Sequence, residues 1–252
     1  MKRLLACGVL LGGVLLGAAP AQAAAEDFCS FGHATAVLLI DRTTAFDATD
    51  RSVFLDALNA QVGLLGAGDR LVAYTMTGAY TESRKVFDRC KPGCPDEGFF
   101  GGLLSTCRPV VARAQYQGFV GALAASLAAL LTKPEETSAS DLFRTVAEAT
   151  RASATPTQPV RQLILFSDLI ENSPVLSERD AKRLPAAEIL KRLDAAGLRA
   201  DIAGAAVRVF GFGRDDTPGR PPLPQDQRRR LEAAWRGWFQ AGGAASVEIG
   251  FR

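Results

Sequence analysis

The sequence predicts an α/β fold: an open, doubly wound, mostly parallel six-stranded sheet with one antiparallel edge strand and helices on both faces, Rossmann-like in outline. Three observations carry that expectation. Residues 37–40 (Val-Leu-Leu-Ile) and 163–166 (Leu-Ile-Leu-Phe) are continuous apolar runs, the pattern of strands buried on both faces of a parallel sheet covered by helices. Strand-like segments alternate with segments of helical period along most of the chain, the order that builds such a sheet. The two apolar runs lead into Asp41 and, through Ser167, into Asp168. Function in these sheets gathers at the carboxyl ends of the strands, where the strand order reverses. Two strand-end carboxylates therefore suggest a shared site, although an acidic residue there also serves simply to cap a following helix.

The elements follow in order. A strand over 34–40 leads to a helix over 47–65, whose apolar residues Val53, Phe54, Leu58, Val62 and Leu65 recur at helical spacing, with Asp47 suited to cap its start. Gly66 and Gly68 end it. A strand over 69–76 is joined by a short Gly78-containing turn to 84–88, and so short a connection makes the second of the pair antiparallel, at the sheet edge. Residues 90–108, rich in Gly, Pro and Cys, read as a stapled loop. An Ala- and Leu-rich helix over 109–131 comes next, then a helix starting near Ser140, which is placed as its amino-terminal cap. The strand that ends at Asp168 is followed by a loop at 171–174 and a helix including 186–193. A strand over 206–211, a Pro-rich loop at 218–224, a helix over 225–240 and a short strand over 246–251 complete the chain. Leu231, Trp235, Trp238 and Phe239 recur at three- and four-residue spacing, which assigns the two tryptophans to packing against the sheet, not to ligand stacking.

The amino terminus has the three parts of a secretory signal: Lys2 and Arg3, an apolar run from Leu4 through Ala18, and small residues around Ala21 and Ala23. The run is shorter than the roughly 20 residues that span a bilayer. The expectation is a signal peptide at 1–25 and one domain at 26–252, exported to the periplasm or secreted, with no transmembrane segment in the mature chain. Without Lys2 and Arg3, the 29 basic residues fall to the number of acidic ones, 27. Near-neutrality argues against a general nucleic-acid binder, which needs a basic surplus on one face.

Four cysteines, Cys29, Cys90, Cys94 and Cys107, follow the signal, an even count that suits two disulfides in an oxidising compartment. The antiparallel edge strand would bring Cys90 beside Cys29, which favours Cys29 with Cys90 and Cys94 with Cys107. Pairing Cys90 with Cys94 and Cys29 with Cys107 stays open. The sole histidine, His33, precedes the first strand, at the end of the sheet away from the strand-end carboxylates, so Ser-His-Asp chemistry has no base there.

The element order, together with Leu-Ile-Asp41-Arg-Thr43, Ser140-Asp-Leu and Leu-Phe-Ser167-Asp168, resembles the von Willebrand factor type A domain over about 34–251. The resemblance implies the strand order three, two, one, four, five, six and a metal-ion-dependent adhesion site at the top of the sheet. It implies Asp41, Thr43, Ser140 and Asp168 as the residues around a Mg²⁺ or Mn²⁺ ion. Ala45 stands where that family has a second hydroxyl ligand, which weakens the implied site, since Mg²⁺ wants six oxygens although several can be waters.

The leading expectation is an exported module, not an enzyme, that binds a protein partner, with the loops after the first and fourth strands, including Arg42 and Glu171, and the Ser140 turn as the contact face. Phe212 and Arg214, in the loop after the fifth strand, are of residue types enriched at binding hot spots and form a second candidate surface. One alternative is a metal-dependent hydrolase or phosphatase of Rossmann-like fold; a strand-end Asp41 suits an aspartyl nucleophile, but Thr43 occupies the position where such phosphatases have a second Asp. The other is a metal-free scaffold in envelope assembly, with Phe99 and Phe100 of the stapled loop either presented to a partner or covering the sheet edge at Val86.

Overall fold

The computed structural model describes residues 28–43, 47–94, 107–128, 130–131, 135, 137–213 and 223–250; the expected signal peptide at 1–25, Ala45, Phe99, Phe100 and Arg214 lie outside them. Six strands form one sheet: β1 (Thr35–Asp41), β2 (Arg70–Met76), β3 (Lys85–Cys90), β4 (Val160–Phe166), β5 (Ala206–Phe210) and β6 (Ser246–Ile249). Their order is β3-β2-β1-β4-β5-β6. Every pairing is parallel except β2 with β3, as the short connection between those two requires.

Among the described residues six α-helices flank the sheet: α1 (Ala48–Gly63), α2 (Pro109–Ala128), α3 (Leu142–Ser153), α4 (Glu178–Arg183), α5 (Ala186–Ala195) and α6 (Gln225–Ala241). The side-chain alternation of β1 divides them between two layers. Ala36, Leu38 and Ile40 face a core built with Phe54 and Leu58 of α1 and Phe119 and Leu123 of α2. Val37 and Leu39 face the opposite core, built with Phe143 and Val146 of α3, Ile189 of α5 and Trp235 of α6. All seven residues of β1 are buried, which explains its unbroken apolar run. Trp235 stacks on Phe143 with ring centroids 3.7 Å apart, and Trp238 is 3% exposed, so both tryptophans belong to the core as their spacing predicts.

Local signals set the helix ends. Asp47 Oδ1 accepts the Asp50 N–H at 2.8 Å while Asp50 Oδ2 accepts the Asp47 N–H at 3.1 Å, a reciprocal capping box. Asp47 therefore acts as the cap that the sequence suggests. The short α4, separated from α5 by Leu184 and Pro185, is absent from the sequence reading because six residues show too little periodicity to be recognised.

The disulfides pair Cys29 with Cys90 and Cys94 with Cys107. The first ties the 3-10 turn Phe28–Phe31 to the end of β3. There Gly68, at φ +82, packs so closely on the turn that a Cβ would lie 2.4 Å from the Gly32 nitrogen and the Phe28 carbonyl oxygen, so only glycine fits. Among the described residues no helix is long and apolar enough to cross a membrane.

Candidate functional site

From β1 the chain winds outward through β2 to β3, then returns to β4 beside β1 and winds the other way through β5 to β6. The reversal falls between β1 and β4, so a crevice opens beyond their carboxyl ends. Asp41 closes β1 there, and Ser167 and Asp168 follow β4.

Asp41 is fully buried and heavily hydrogen-bonded. Its Oδ1 accepts the Thr43 N–H at 2.8 Å and the Thr43 hydroxyl at 2.6 Å, and its Oδ2 accepts the Ser167 hydroxyl at 2.6 Å. The Asp41-to-Thr43 bonds form an Asx-type turn, and the Ser167 bond fastens the end of β1 to the end of β4. Thr43 Oγ1 lies 3.0 Å from Ser140 Oγ. A carboxylate can only accept, so the Thr43 proton is committed to Asp41, and Ser140 is the donor to Thr43.

The turn after β4 is held from beneath. Leu169 has φ +60, unusual for a bulky residue. Its N–H donates to Ser167 Oγ at 3.0 Å, its carbonyl accepts the indole N–H of Trp235 at 2.9 Å, and its side chain is buried. Asp168 Oδ1 then accepts the Ile170 N–H at 2.9 Å. The structure thus gathers Thr43, Ser140 and Asp168 around one polar cavity of about 20 Å³, lined also by Ser138, Asn172 and Glu178. That volume holds one water-sized occupant.

Ser140 does not cap α3. Asp141 occupies the cap position without a side-chain hydrogen bond, because Ser140 is held as a one-residue bridge that exchanges both backbone hydrogen bonds with Asn172 at 2.9 Å. The cap comes from another loop: Glu171 Oε2 accepts the N–H groups of Leu142 and Phe143 at 2.8 and 3.1 Å. Glu171 is 1% exposed, so its side chain is an internal clamp, not the contact residue expected from the sequence. Burial pushes its carboxyl up to about 8, against the pull of the two N–H groups and the Ser173 hydroxyl, and the nearby Asp141 charge adds to the rise. Asp141 is raised too, chiefly by burial, with the Tyr80 N–H and Arg144 opposing, and its Oδ1 is buried without a hydrogen-bond partner.

Phe212 also departs from expectation. It is fully buried in the core on the α3, α5 and α6 side, because Gly211 and Gly213, at φ +84 and +64, turn the chain so that the ring points inward. Arg42 is half-buried; its N–H donates to the Met76 carbonyl and its carbonyl accepts the Glu135 N–H. His33 is exposed before β1, with its backbone N–H on Asp69. The sequence reading missed the roles of Ser167 and Asn172. A serine directly before a strand-end Asp was the available signal for the first, and the second has none in the sequence.

The side chains of Thr43, Ser140 and Asp168 offer only oxygens to the cavity they line, the ligand type that hard cations prefer. Oxygens adjacent in a Mg²⁺ octahedron stand about 2.9 Å apart, given bonds of about 2.0–2.1 Å. The 3.0 Å between Thr43 Oγ1 and Ser140 Oγ fits that edge, so the residues present are compatible with a divalent ion.

No known family profile matches the chain, and no curated protein matches it. Among solved structures, the chain is similar to an aerotolerance-related membrane protein from Bacteroides fragilis, crystallised with multiple mutations to serine. The two are 12% identical, with 86% of this chain and 92% of that one covered and a TM-score of 0.42.

Proposed function

We propose that this chain is an exported binding module of the von Willebrand factor type A kind, whose cavity beyond β1 and β4 recognises a protein partner with the help of a divalent cation. The observation that carries this reading is the convergence of Thr43 Oγ1, Ser140 Oγ and Asp168 on one polar cavity at the reversal of strand order. Those three side chains would hold Mg²⁺ or Mn²⁺; when bound, the ion supplies a positive centre that attracts an acidic side chain of the partner. Asp41 acts from behind, orienting the Thr43 hydroxyl. The two disulfides and the apolar leader fit an exported protein. No catalytic step is assigned to the site.

The test is thermal unfolding in Mg²⁺ or Mn²⁺ against chelator, on the wild type, Asp168→Ala and Asp168→Asn, the last of which keeps an acceptor for the Ile170 N–H. Metal at a hundred times its dissociation constant stabilises by about 2.7 kcal/mol. A metal-dependent rise that both variants lose supports the reading; an identical midpoint with metal and chelator refutes the cation. That second outcome favours a metal-free scaffold, for which the specific support is that the Asp41 oxygens already accept three hydrogen bonds.

A further inference from the structure

Asn172 engages both its backbone and both ends of its side-chain amide in hydrogen bonds. Its backbone exchanges two bonds with Ser140, its side-chain N–H donates to the Ser138 carbonyl, and its side-chain carbonyl accepts the Glu178 N–H at 3.1 Å. The chemistry of the partners fixes the orientation of the amide: a carbonyl needs a donor and an N–H needs an acceptor, so a flipped side chain would oppose like groups at both ends. One residue therefore joins three segments that line the cavity, namely 138–140, the loop that carries Asp168, and the start of α4.

We propose that Asn172 is the positioning residue of the cavity, its side-chain amide holding 138–140 so that the Ser140 hydroxyl stands beside Thr43. The backbone bridge alone leaves Ser138 without this restraint, and Ser140 Oγ reaches the cavity only if the short segment before it keeps its course. Glu171, one residue earlier, fixes the other side of Ser140 through Leu142 and Phe143, so consecutive residues of one loop hold both flanks of the hydroxyl. The expected consequence for metal affinity rests on the cation reading above; the consequence for the segment does not.

The experiment compares the wild type with Asn172→Ala and Asn172→Ser, truncations at a half-buried position. Two quantities are measured: Mn²⁺ affinity, from the free-ion electron paramagnetic resonance signal, and amide hydrogen exchange at Ala139 and Ser140 without metal. Both variants are expected to weaken Mn²⁺ binding at least tenfold, the scale of lost support around metal ligands, and to speed exchange at Ala139 and Ser140 while the amides of β1 and β4 stay protected. Unchanged exchange at Ser140, or a Mn²⁺ affinity equal to the wild type's, overturns the proposal. If the wild type itself does not bind Mn²⁺, the cation reading falls, and the exchange data alone decide the positioning role: faster exchange supports it and unchanged exchange refutes it.

Discussion

Glu171→Gln is the most informative single substitution for the framework behind the cavity. Glutamine keeps a side-chain carbonyl to accept the N–H groups of Leu142 and Phe143, so the helix end remains satisfied while the titration disappears. In the folded protein the Glu171 carboxyl is raised from an ordinary 4.5 to about 8. The native state therefore holds a proton that the unfolded state has released across that interval, and stability falls as pH rises. The contribution is fully present below about pH 4.5 and is lost as pH climbs through about 8. With a limiting slope of about 1.4 kcal/mol per pH unit, flattened near each end, the wild type should lose about 2–3 kcal/mol relative to Glu171→Gln between about pH 5.5 and 7.5. For a domain of this size that corresponds to about 5–10 °C in midpoint. Urea unfolding of both proteins across that range provides the assay, and the difference between them removes the titrating groups that do not feel the Glu171 charge, Asp141 being the neighbour that does. A difference that stays constant with pH would refute the argument, because it would mean that the two helix N–H groups keep Glu171 ionised despite its burial.

Other consequences are read by the same unfolding measurements. Chain-entropy arithmetic gives about 4.3 kcal/mol for the Cys29–Cys90 crosslink, with its separation of 61 residues, and about 2.9 kcal/mol for Cys94–Cys107, with 13; double serine variants should fall in that order. Trp235→Phe retains a ring for Phe143 but strips the Leu169 carbonyl of its donor, at a cost of about 1–3 kcal/mol. Asp47→Ala removes one side of the α1 capping box and should cost about 1 kcal/mol, without effect on Mn²⁺ binding.

The fold was legible because its strongest signals are local. The unbroken run before Asp41 could only be a doubly covered strand, and the short link between β2 and β3 imposed the antiparallel edge. Trp235 and Trp238 announced their burial by spacing. The site was legible only in part. Asp41 and Asp168 stood out because apolar runs lead into them, and Thr43 and Ser140 joined them only through the family resemblance; the structure brings all four to one end of the sheet. Glu171 and Phe212 were misplaced because burial of a loop residue depends on what packs over the loop. For Phe212 the two flanking glycines were visible, but the inward turn they make was not. For Ser140, propensity suggested a helix cap, and the bridge to Asn172, far along the chain, overrode it. That contact has no sequence period to betray it.

The hydroxyl relay behind the cavity has a direction. Protons run from Ser140 to Thr43 to Asp41, and from Ser167 to Asp41, so the carboxylate is the common sink of two chains of dipoles that point the same way in charge. Asp41→Asn preserves shape yet replaces one accepting oxygen with a donor, and because the Thr43 N–H is a fixed donor to Oδ1, the amide oxygen must stay on the Thr43 side and its N–H groups face Ser167. Ser167 Oγ, which already accepts the Leu169 N–H, would then meet a second donor and lose the acceptor of its own proton, so the tie between the ends of β1 and β4 is what loosens. The spacing of the two strand ends beneath the opening is thus set from a residue that never reaches the surface, and an isosteric change buried at the end of the central strand would be felt first in the turn that carries Asp168.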